Sequence, residues 1–240
     1  AGIAHEIDNP LGVVSMFAQL LQEELRCEEE PRAAALEKVQ AIQEQATHAS
    51  EIVKNLLRVS RKSEGIKKPL RLPEVVERAR AIVRHQKKLR QIEFREQRPQ
   101  EPLPIVMGDE GQLTQVLLNF FVNAQQAMGE TGCLTVGYRV VRAEEAAEAA
   151  GGQRYGETPE GGERLQLWVQ DSGPGIPPAR LERIFEPFFT TKAAGEGTGL
   201  GLSISFGIIR GHGGCIWVDS KEGQGTTFTL DLPLAAGAGA

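Results

Sequence analysis

The residues of this chain best suited to chemistry are two asparagines four positions apart and three later stretches rich in glycine or aromatic residues. They are Asn119 and Asn123, then residues 171–175 (Asp-Ser-Gly-Pro-Gly), 185–192 (Phe-Glu-Pro-Phe-Phe-Thr-Thr-Lys) and 195–201 (Gly-Glu-Gly-Thr-Gly-Leu-Gly). On a helix, a spacing of four places both amides on one face. Amide oxygens can ligate a hard cation such as Mg²⁺, which keeps several waters and also binds phosphates. By itself the pair is also compatible with two polar positions on an otherwise apolar helix.

Asp171 follows a predicted strand and starts a short turn that contains Gly173 and Gly175. A carboxylate at a strand end can accept a hydrogen bond from an exocyclic amine such as that of adenine. The two glycines let the backbone approach a flat base closely. An ordinary turn is the competing interpretation of these five residues.

Three glycines, Gly197, Gly199 and Gly201, precede a predicted apolar helix. Glycines in a first helical turn expose backbone N–H groups to an anion, and the positive end of the helix dipole adds to the attraction. The stretch is not a P-loop, because no Gly-Lys-Ser/Thr ends it. Before it, residues 177–196 carry aromatic residues and Lys192, and a segment of that length beside a phosphate site suggests a lid.

A histidine near the start of the chain, His5, is followed by three residues that could make it reactive. Glu6 can accept a proton from one ring nitrogen and leave the other nucleophilic. Asn9 lies one helical turn later on the same face, away from the apolar seam. Pro10 leaves the Glu6 carbonyl without its helical partner, which allows a local bend. A lone exposed histidine is usually a plain surface residue, and these neighbours favour a reactive one instead.

The elements that carry His5 are predicted to be a helical hairpin over residues 1–64. Apolar residues recur there at spacings of three and four, which is the seam of an amphipathic helix, with a break at residues 27–31. The seam positions are Ile3, Ile7, Leu11, Val14, Ala18, Leu21 and Leu25, then Leu36, Val39, Ile42, Ala46, Ala49, Val53 and Leu56. One hairpin makes only a thin core, so a homodimer that forms a four-helix bundle is expected.

The elements that carry the glycine-rich stretches follow a predicted linker at residues 65–73. Residues 74–234 are predicted to form an α+β sandwich with one mixed sheet and helices on one face. The expected elements are helices at 74–89 and 109–128, capped by Asp109, and strands at 91–95, 103–107, 134–141, 165–170, 215–220 and 226–232. Residues 143–163, rich in Glu, Gly and Ala, predict a mobile hairpin insertion, and residues 235–240 a flexible tail.

The bulk properties exclude several classes of protein. The formal net charge of −5, without a basic stripe, argues against a nucleic-acid-binding protein. The cysteines Cys27, Cys133 and Cys215 fit no zinc spacing and cannot all pair, which favours a reduced, cytoplasmic setting. No apolar run approaches the ~20 residues needed to span a bilayer, so no direct membrane contact is expected here. Because His5 lies only a few residues into what looks like mid-helix, we expect a fragment of a longer protein.

Taken in order, residues 119–123, 171–175, 185–192 and 197–201 resemble the four boxes of the catalytic domain of two-component sensor histidine kinases. That domain belongs to the ATPase superfamily shared with gyrase, mismatch-repair ATPases and heat-shock chaperones, and the similarity spans residues 67–234. The resemblance implies ATP and Mg²⁺ as the bound groups. Carried over by position, it implies that Asn123 is a metal ligand supported by Asn119, and that Asp171 reads the adenine in a pocket shaped by Gly173 and Gly175. It implies that Phe188 and Phe189 form the aromatic lid box and that Lys192 lies near a phosphate. It places Gly197, Gly199 and Gly201 on the phosphate side.

Residues 5–11 (His-Glu-Ile-Asp-Asn-Pro-Leu) resemble the phospho-acceptor box of the same kinases. The resemblance implies that His5 accepts a phosphoryl group from ATP, with Glu6 as the base. It implies that Asn9 orients a water when the kinase acts as a phosphatase. It also implies phosphoryl transfer to an aspartate on the receiver domain of a response regulator, a homodimer and a cytoplasmic location, and it leaves open whether the full-length protein is membrane-anchored.

Two features depart from the family pattern, and two other functions compete. Gln126 stands where many members carry Lys or Arg, although a related subgroup also has Gln, and the insertion at residues 143–163 is longer than the usual hairpin. One competitor is an ATPase of the same superfamily that drives conformational change. Its relatives carry a water-activating glutamate where this chain has Asn119. The other is a non-catalytic dimerisation module with a degenerate nucleotide site, which the intact His5–Glu6 pair disfavours. The sequence identifies neither the signal nor the response regulator.

Overall fold

The computed structural model describes residues 11–21, 36–43, 46, 66–84, 92–157, 161–192 and 198–235. The chain divides into two units, Ala1–Ser63 and Glu64–Ala240. Among the described residues, no helix is both long enough and apolar enough to cross a membrane.

Two helical segments are described in the first unit. Helix α1 includes residues 11–21 and helix α2 includes residues 36–43, both inside the helices that the apolar seam predicts. Four large apolar side chains of these segments are exposed in the single chain: Leu11, Met16, Leu20 and Leu36. Exposed apolar side chains on these helices are compatible with a covering partner, and the homodimer stays a prediction.

The second unit consists of five helices and eight strands. The helices are α3 (Leu72–Arg84), α4 (Glu110–Met128), α5 (Ala146–Ala150), α6 (Pro178–Leu181) and α7 (Gly201–Gly211). The strands are β1 (Lys68–Leu70), β2 (Ile92–Gln97), β3 (Val106–Gly108), β4 (Gly132–Arg142), β5 (Gln153–Tyr155), β6 (Glu163–Asp171), β7 (Cys215–Lys221) and β8 (Gly225–Pro233). These counts refer to the described residues of that unit.

Six of the strands form one mixed sheet in the order β2-β4-β6-β8-β7-β5. Strand β2 runs parallel to β4, and every other neighbouring pair in this sheet is antiparallel. One hydrophobic core is shared by the sheet and helices α3, α4 and α7. The predicted α+β sandwich with a mixed sheet is therefore confirmed, with the addition of a separate two-stranded sheet of β1 and β3.

Helix α4 is the central element of the helical layer, and its ends are specified by the sequence. The side chain of Asp109 accepts a hydrogen bond from the Gln112 backbone N–H at 2.9 Å, which caps the first turn as predicted. The helix ends at Gly129, whose φ of 76° suits a residue without Cβ. Its buried face packs on the sheet through Phe120, whose ring stacks on Phe228 with centroids 4.7 Å apart. Helix α4 is thereby held at both ends and along its buried face, and with it the backbone of Asn119 and Asn123.

Two segments are more ordered than the sequence predicted. The predicted linker at residues 65–73 contains β1 and the start of α3, because β1 pairs with β3 and Leu72 is buried in the core. The predicted mobile insertion at residues 143–163 forms a 3₁₀ turn (Ala143–Glu145), helix α5 and strand β5. Its alanines misled the prediction, since Ala146 and Ala150 are buried and Gln166 donates to the Ala146 carbonyl at 2.9 Å.

Candidate functional site

Helix α4 holds Asn119 against the first turn of α7. The Asn119 side-chain nitrogen donates to the Gly201 carbonyl oxygen at 2.9 Å and to the Ser205 hydroxyl at 3.1 Å. Ser205 is fully buried and donates in turn to the Gly201 carbonyl at 2.9 Å. Because the nitrogen makes both contacts, Oδ1 is the Asn119 atom that remains to ligate a cation. Asn119 therefore joins the two helices that carry the predicted phosphate-side residues.

Asn123 lies one turn further along α4 and is half-buried. Among the described residues, no group of three or more His, Cys, Asp or Glu side chains could hold a metal ion. The oxygen donors that Asn119 and Asn123 themselves can offer are neutral amide oxygens. Mg²⁺ keeps several waters and takes its remaining ligands from phosphates as well as protein, so this donor set fits Mg²⁺ held together with a phosphate chain.

Asp171, the last residue of β6, is only 6% exposed. Its Oδ1 accepts hydrogen bonds from the backbone N–H groups of Gly173 at 2.8 Å and Thr226 at 3.3 Å. Burial raises the pKa of the Asp171 carboxyl, and these two N–H groups act in the opposite direction. Both of these hydrogen bonds fall on Oδ1.

The turn between β7 and β8 supports the loop that follows Asp171. Gly175 has a φ of 74°, and a Cβ added there would collide with the Lys221 carbonyl oxygen. The Gly223 N–H donates to the Pro174 carbonyl at 2.7 Å, and the Ile176 N–H donates to the Ser220 hydroxyl at 2.8 Å. The loop is therefore held by backbone contacts that only glycine permits at Gly175.

Two residues that hold Asp171 and its loop, Thr226 and Ser220, were not predicted from the sequence. Thr226 binds Asp171 through its backbone N–H, and its hydroxyl lies 2.8 Å from that of Ser220. In the sequence, these two hydroxyl residues flank the turn Lys221–Gly225. That pattern predicts a hairpin but not a contact with Asp171. Their contact with Asp171 depends on the pairing of β6 with β8, where Asp171 faces Thr226.

The segment after α6 places its aromatic residues against the glycine-rich stretch. The Phe188 N–H donates to the Gly199 carbonyl oxygen at 3.1 Å. Phe188 has a φ of 69°, a strained conformation for a residue with Cβ, and Gly199 has a φ of 63°. A Cβ on Gly199 would collide with the Phe188 backbone. Phe189 is half-buried, with the Arg183 guanidinium 4.6 Å from its ring centroid.

Lys192 reaches back from this segment to helix α4. Its Nζ donates to the side-chain oxygen of Gln126. Gln126 is the position where the family pattern has a basic residue in many members, three residues after Asn123. The contact places the positive charge of Lys192 beside α4. This charge comes from the segment at residues 185–192 and not from a residue of the helix itself.

His212 ties the end of α7 to the start of α4. It is 4% exposed, its Nε2 accepts from the Asp109 N–H at 3.0 Å, and its Nδ1 lies 2.7 Å from the Ile208 carbonyl oxygen. These partners require a neutral ring with the proton on Nδ1. Burial lowers the pKa of His212, and Lys67 acts in the same direction. His212 is the residue that follows α7, and glycines precede and follow it at Gly211 and Gly213.

The structure thus brings Asn119, Asn123, Asp171, Gly173, Gly175, Phe188, Phe189, Lys192, Gly199 and Gly201 onto adjoining elements of one unit. Four predicted site residues lie outside the described residues: His5, Glu6, Asn9 and Gly197. The roles of all these residues stay predictions.

Comparison with protein families identifies the two units. A model described as histidine kinase-, DNA gyrase B- and HSP90-like ATPase matches residues 108–236. A model of the His kinase A (phospho-acceptor) domain matches residues 1–65.

Curated relatives match along nearly the whole chain. Sensor kinase CckA of Brucella abortus is 38% identical over 232 residues, which cover 97% of this chain and 23% of that protein. Sensor histidine kinase ZraS of Salmonella typhi is 36% identical over 236 residues, which cover 98% of this chain and 45% of that protein. The chain spans less than half the length of these relatives.

Solved structures match both units. Histidine kinase ThkA in complex with response regulator protein TrrA is 26% identical, with a TM-score of 0.68, and the match covers 98% of this chain and 60% of that chain. Full-length ShkA in complex with AMPPNP is also 26% identical, with a TM-score of 0.65, covering 99% of this chain and 46% of that chain. The chain therefore belongs to the histidine kinase-, DNA gyrase B- and HSP90-like ATPase family, and with its phospho-acceptor domain it has the core of a two-component sensor histidine kinase.

Proposed function

We propose that this chain uses ATP to phosphorylate His5 and then transfers the phosphoryl group to an aspartate on the receiver domain of a response regulator. The observation that carries the proposal is the junction of α4 and α7, where Asn119 binds Gly201 and Ser205. That junction sets amide oxygens beside a glycine-rich helix start, which is the arrangement that a cation-bound phosphate chain requires.

In this proposal each group of residues has one task. Asp171 accepts a hydrogen bond from the adenine amine at Oδ2, and the backbone of Gly173 and Gly175 lies against the base. Asn123, supported by Asn119, holds Mg²⁺, which would neutralise charge on the phosphates. The aromatic residues Phe188 and Phe189 and the glycines Gly197, Gly199 and Gly201 surround the phosphate chain, and Lys192 supplies a positive charge.

The chemical step forms a bond between a His5 ring nitrogen and the γ-phosphorus as the bond to ADP breaks. Glu6 takes the proton from the other ring nitrogen, which keeps the attacking nitrogen nucleophilic. In the second step the N–P bond breaks as a receiver carboxylate forms an acyl phosphate. Asn9 holds the water that hydrolyses this acyl phosphate when the chain acts as a phosphatase. That ThkA was solved in complex with its response regulator supports a partner of this class.

The proposed organisation is a dimerising phospho-acceptor hairpin at residues 1–64, a linker at residues 65–73 that contains β1 and the start of α3, an ATP-binding domain at residues 74–234 and a tail at residues 235–240. The exposed apolar side chains of α1 and α2 support the homodimer. A cytoplasmic location follows from the proposed chemistry, since ATP and receiver domains are found there.

The competing ATPase function is disfavoured by the same junction. An ATPase of this superfamily needs a base at the position of Asn119, and an amide cannot take a proton from water. The Asn119 nitrogen is also occupied by Gly201 and Ser205.

The test is labelling with γ-labelled ATP in the presence of Mg²⁺. We expect label that acid removes and base does not in the wild type and in a His48→Gln control, which replaces the other histidine of residues 1–64. We expect no label in His5→Gln, which should still bind nucleotide. Label retained by His5→Gln, or phosphate release without label, would contradict the proposal.

A further inference from the structure

The insertion between β4 and β6 is firmly attached to the sheet. Strand β5 pairs with the edge of β7, with Gln153 opposite Val218 and Tyr155 opposite Ile216. Helix α5 packs above the same edge, where Ala150 is buried against Trp217 and Cys215. Through β5 the insertion reaches the segment that carries the aromatic box.

Tyr155 makes the contacts between the insertion and that segment. Its hydroxyl donates to the carbonyl oxygen of Leu181, the last residue of α6. Its ring packs on Phe185 with centroids 4.4 Å apart, and Phe185 in turn lies 5.7 Å from Phe206 of α7. Burial raises the pKa of Tyr155 to about 12, so the hydroxyl remains a donor at neutral pH.

A short chain of contacts leads from Tyr155 to the candidate phosphate side. Phe185 is buried and directly precedes a turn in which the Phe189 N–H donates to the Glu186 carbonyl at 3.2 Å. Within that turn, the Phe188 N–H donates to Gly199. The start of the turn is therefore fixed by Tyr155 and its end by the glycine-rich stretch.

We propose that Tyr155 is a positioning residue for nucleotide binding, which sets the place of Phe188 and Gly199 by holding Leu181 and Phe185. The inference rests on the proposed function, because it requires nucleotide to bind beside these residues. Tyr155 touches no phosphate itself. Its contribution is the pre-organisation of the residues that do, so its loss speeds nucleotide release.

The chain offers a matched control, since its only other tyrosine is Tyr138. Tyr138 lies on β4, and its hydroxyl donates to Glu96 on β2 at 2.7 Å, at the opposite edge of the sheet. Tyr155→Phe and Tyr138→Phe each remove one hydroxyl and its hydrogen bond. Because Tyr138 is more buried and bonds to a carboxylate, its variant should lose at least as much thermal stability.

The experiment measures the dissociation rate of a fluorescent ATP analogue by stopped flow, with thermal unfolding of each variant in parallel. We expect Tyr155→Phe to raise the dissociation rate about threefold or more, Tyr155→Ala to raise it further, and Tyr138→Phe to leave it unchanged. If Tyr155→Phe releases the analogue at the wild-type rate, or if both tyrosine variants speed release in proportion to lost stability, the inference is wrong. If the wild type itself does not bind the analogue, the proposed function fails, and this inference fails with it.

Discussion

The two sides of the candidate nucleotide site are held in different ways. On the adenine side, Asp171 is buried, and it and the loop that follows are tied to the β7–β8 hairpin by hydrogen bonds from the backbone N–H groups of Thr226, Ile176 and Gly223. On the phosphate side, the segment at residues 185–192 is held by the packing of Phe185 on Tyr155 and Phe206 and by one backbone hydrogen bond from Phe188 to Gly199, and Lys192 near its end is exposed. The first side is thus held mainly by backbone hydrogen bonds, and the second by aromatic packing at its start and by an exposed side chain near its end.

This difference sets the expected scale of mutational effects. A hydrogen bond to a buried charged group contributes about 1.5–3 kcal/mol, whereas an exposed ionic contact contributes about 0.2–1 kcal/mol. Changes on the adenine side should therefore lower affinity strongly, and changes on the phosphate side should have smaller effects that depend on the bound nucleotide.

The largest effect is expected from Gly175→Ala, which would break the adenine side. The added Cβ meets the Lys221 carbonyl at a positive φ, so the loop must move, and we expect a loss of roughly 3 kcal/mol or more in unfolding free energy together with nucleotide binding. Gly223→Ala is the control, because Gly223 has a φ of 77° and open space around its Cβ position. That variant should lose only about 1–2 kcal/mol. Equal losses in urea titrations would mean that close packing of the loop is unimportant.

Asp171→Asn tests the same side without disturbing the backbone. The amide can still accept from Gly173 and Thr226, but it presents N–H groups where Oδ2 would face the adenine amine. We expect affinity for ATP to fall about 10- to 150-fold, with a smaller loss for a base that lacks this amine. Titration calorimetry measures this, with Asp219→Asn on the exposed face of β7 as control. Unchanged affinity would remove Asp171 from the site.

His212 tests the contact between the end of α7 and the start of α4. Its lowered pKa means that the folded state resists the proton that the unfolded state takes up, so stability should fall as pH decreases below the ordinary value of 6.5. Lys67 and Asp109 are the charged groups that face it. His212→Gln should flatten this dependence between about pH 7.5 and about pH 5.5. Tryptophan fluorescence can follow it, since Trp168 and Trp217 are the only two and both lie in the second unit. A variant with the wild-type pH profile would exclude His212 as the cause.

The smallest effect is expected from exchanging Lys192 and Gln126, which form the exposed contact on the phosphate side. Lys192→Gln should raise the KM for ATP about fivefold or less, because it removes one screened charge. Adding Gln126→Lys returns the charge to α4, at the position where many family members carry it, and should restore the wild-type KM. If the KM of the double variant is no lower than that of Lys192→Gln, the contact with Gln126 does not determine where the positive charge of Lys192 acts.

Local patterns predicted much of the molecule. The cap at Asp109, the apolar periodicity of α4 and the glycines before α7 each lie within a few residues of the feature they specify, so the elements could be located from the sequence. The order of the predicted helices and strands then gave the α+β sandwich with one mixed sheet.

Contacts between distant residues were not predictable in this way. Thr226 meets Asp171 across a separation of 55 residues, and Lys192 meets Gln126 across 66. No periodicity encodes either contact, because each depends on how strands and helices pair. The ordered structure of the insertion at residues 143–163 was not predicted for another reason: its Glu, Gly and Ala content resembles a disordered segment, although Ala146 and Ala150 are buried.

Strand β5 also affects how the domain behaves towards other copies of itself. Without it, β7 would be the edge of the sheet and would expose the backbone of Ile216, Trp217 and Val218, an apolar run able to pair with another chain. Strand β5 covers these three residues and replaces them at the edge with Gln153, Arg154 and Tyr155, a short strand that carries a positive charge. Shortening the insertion to the length of an ordinary hairpin would therefore create a site for intermolecular β-sheet growth, and the domain would lose solubility.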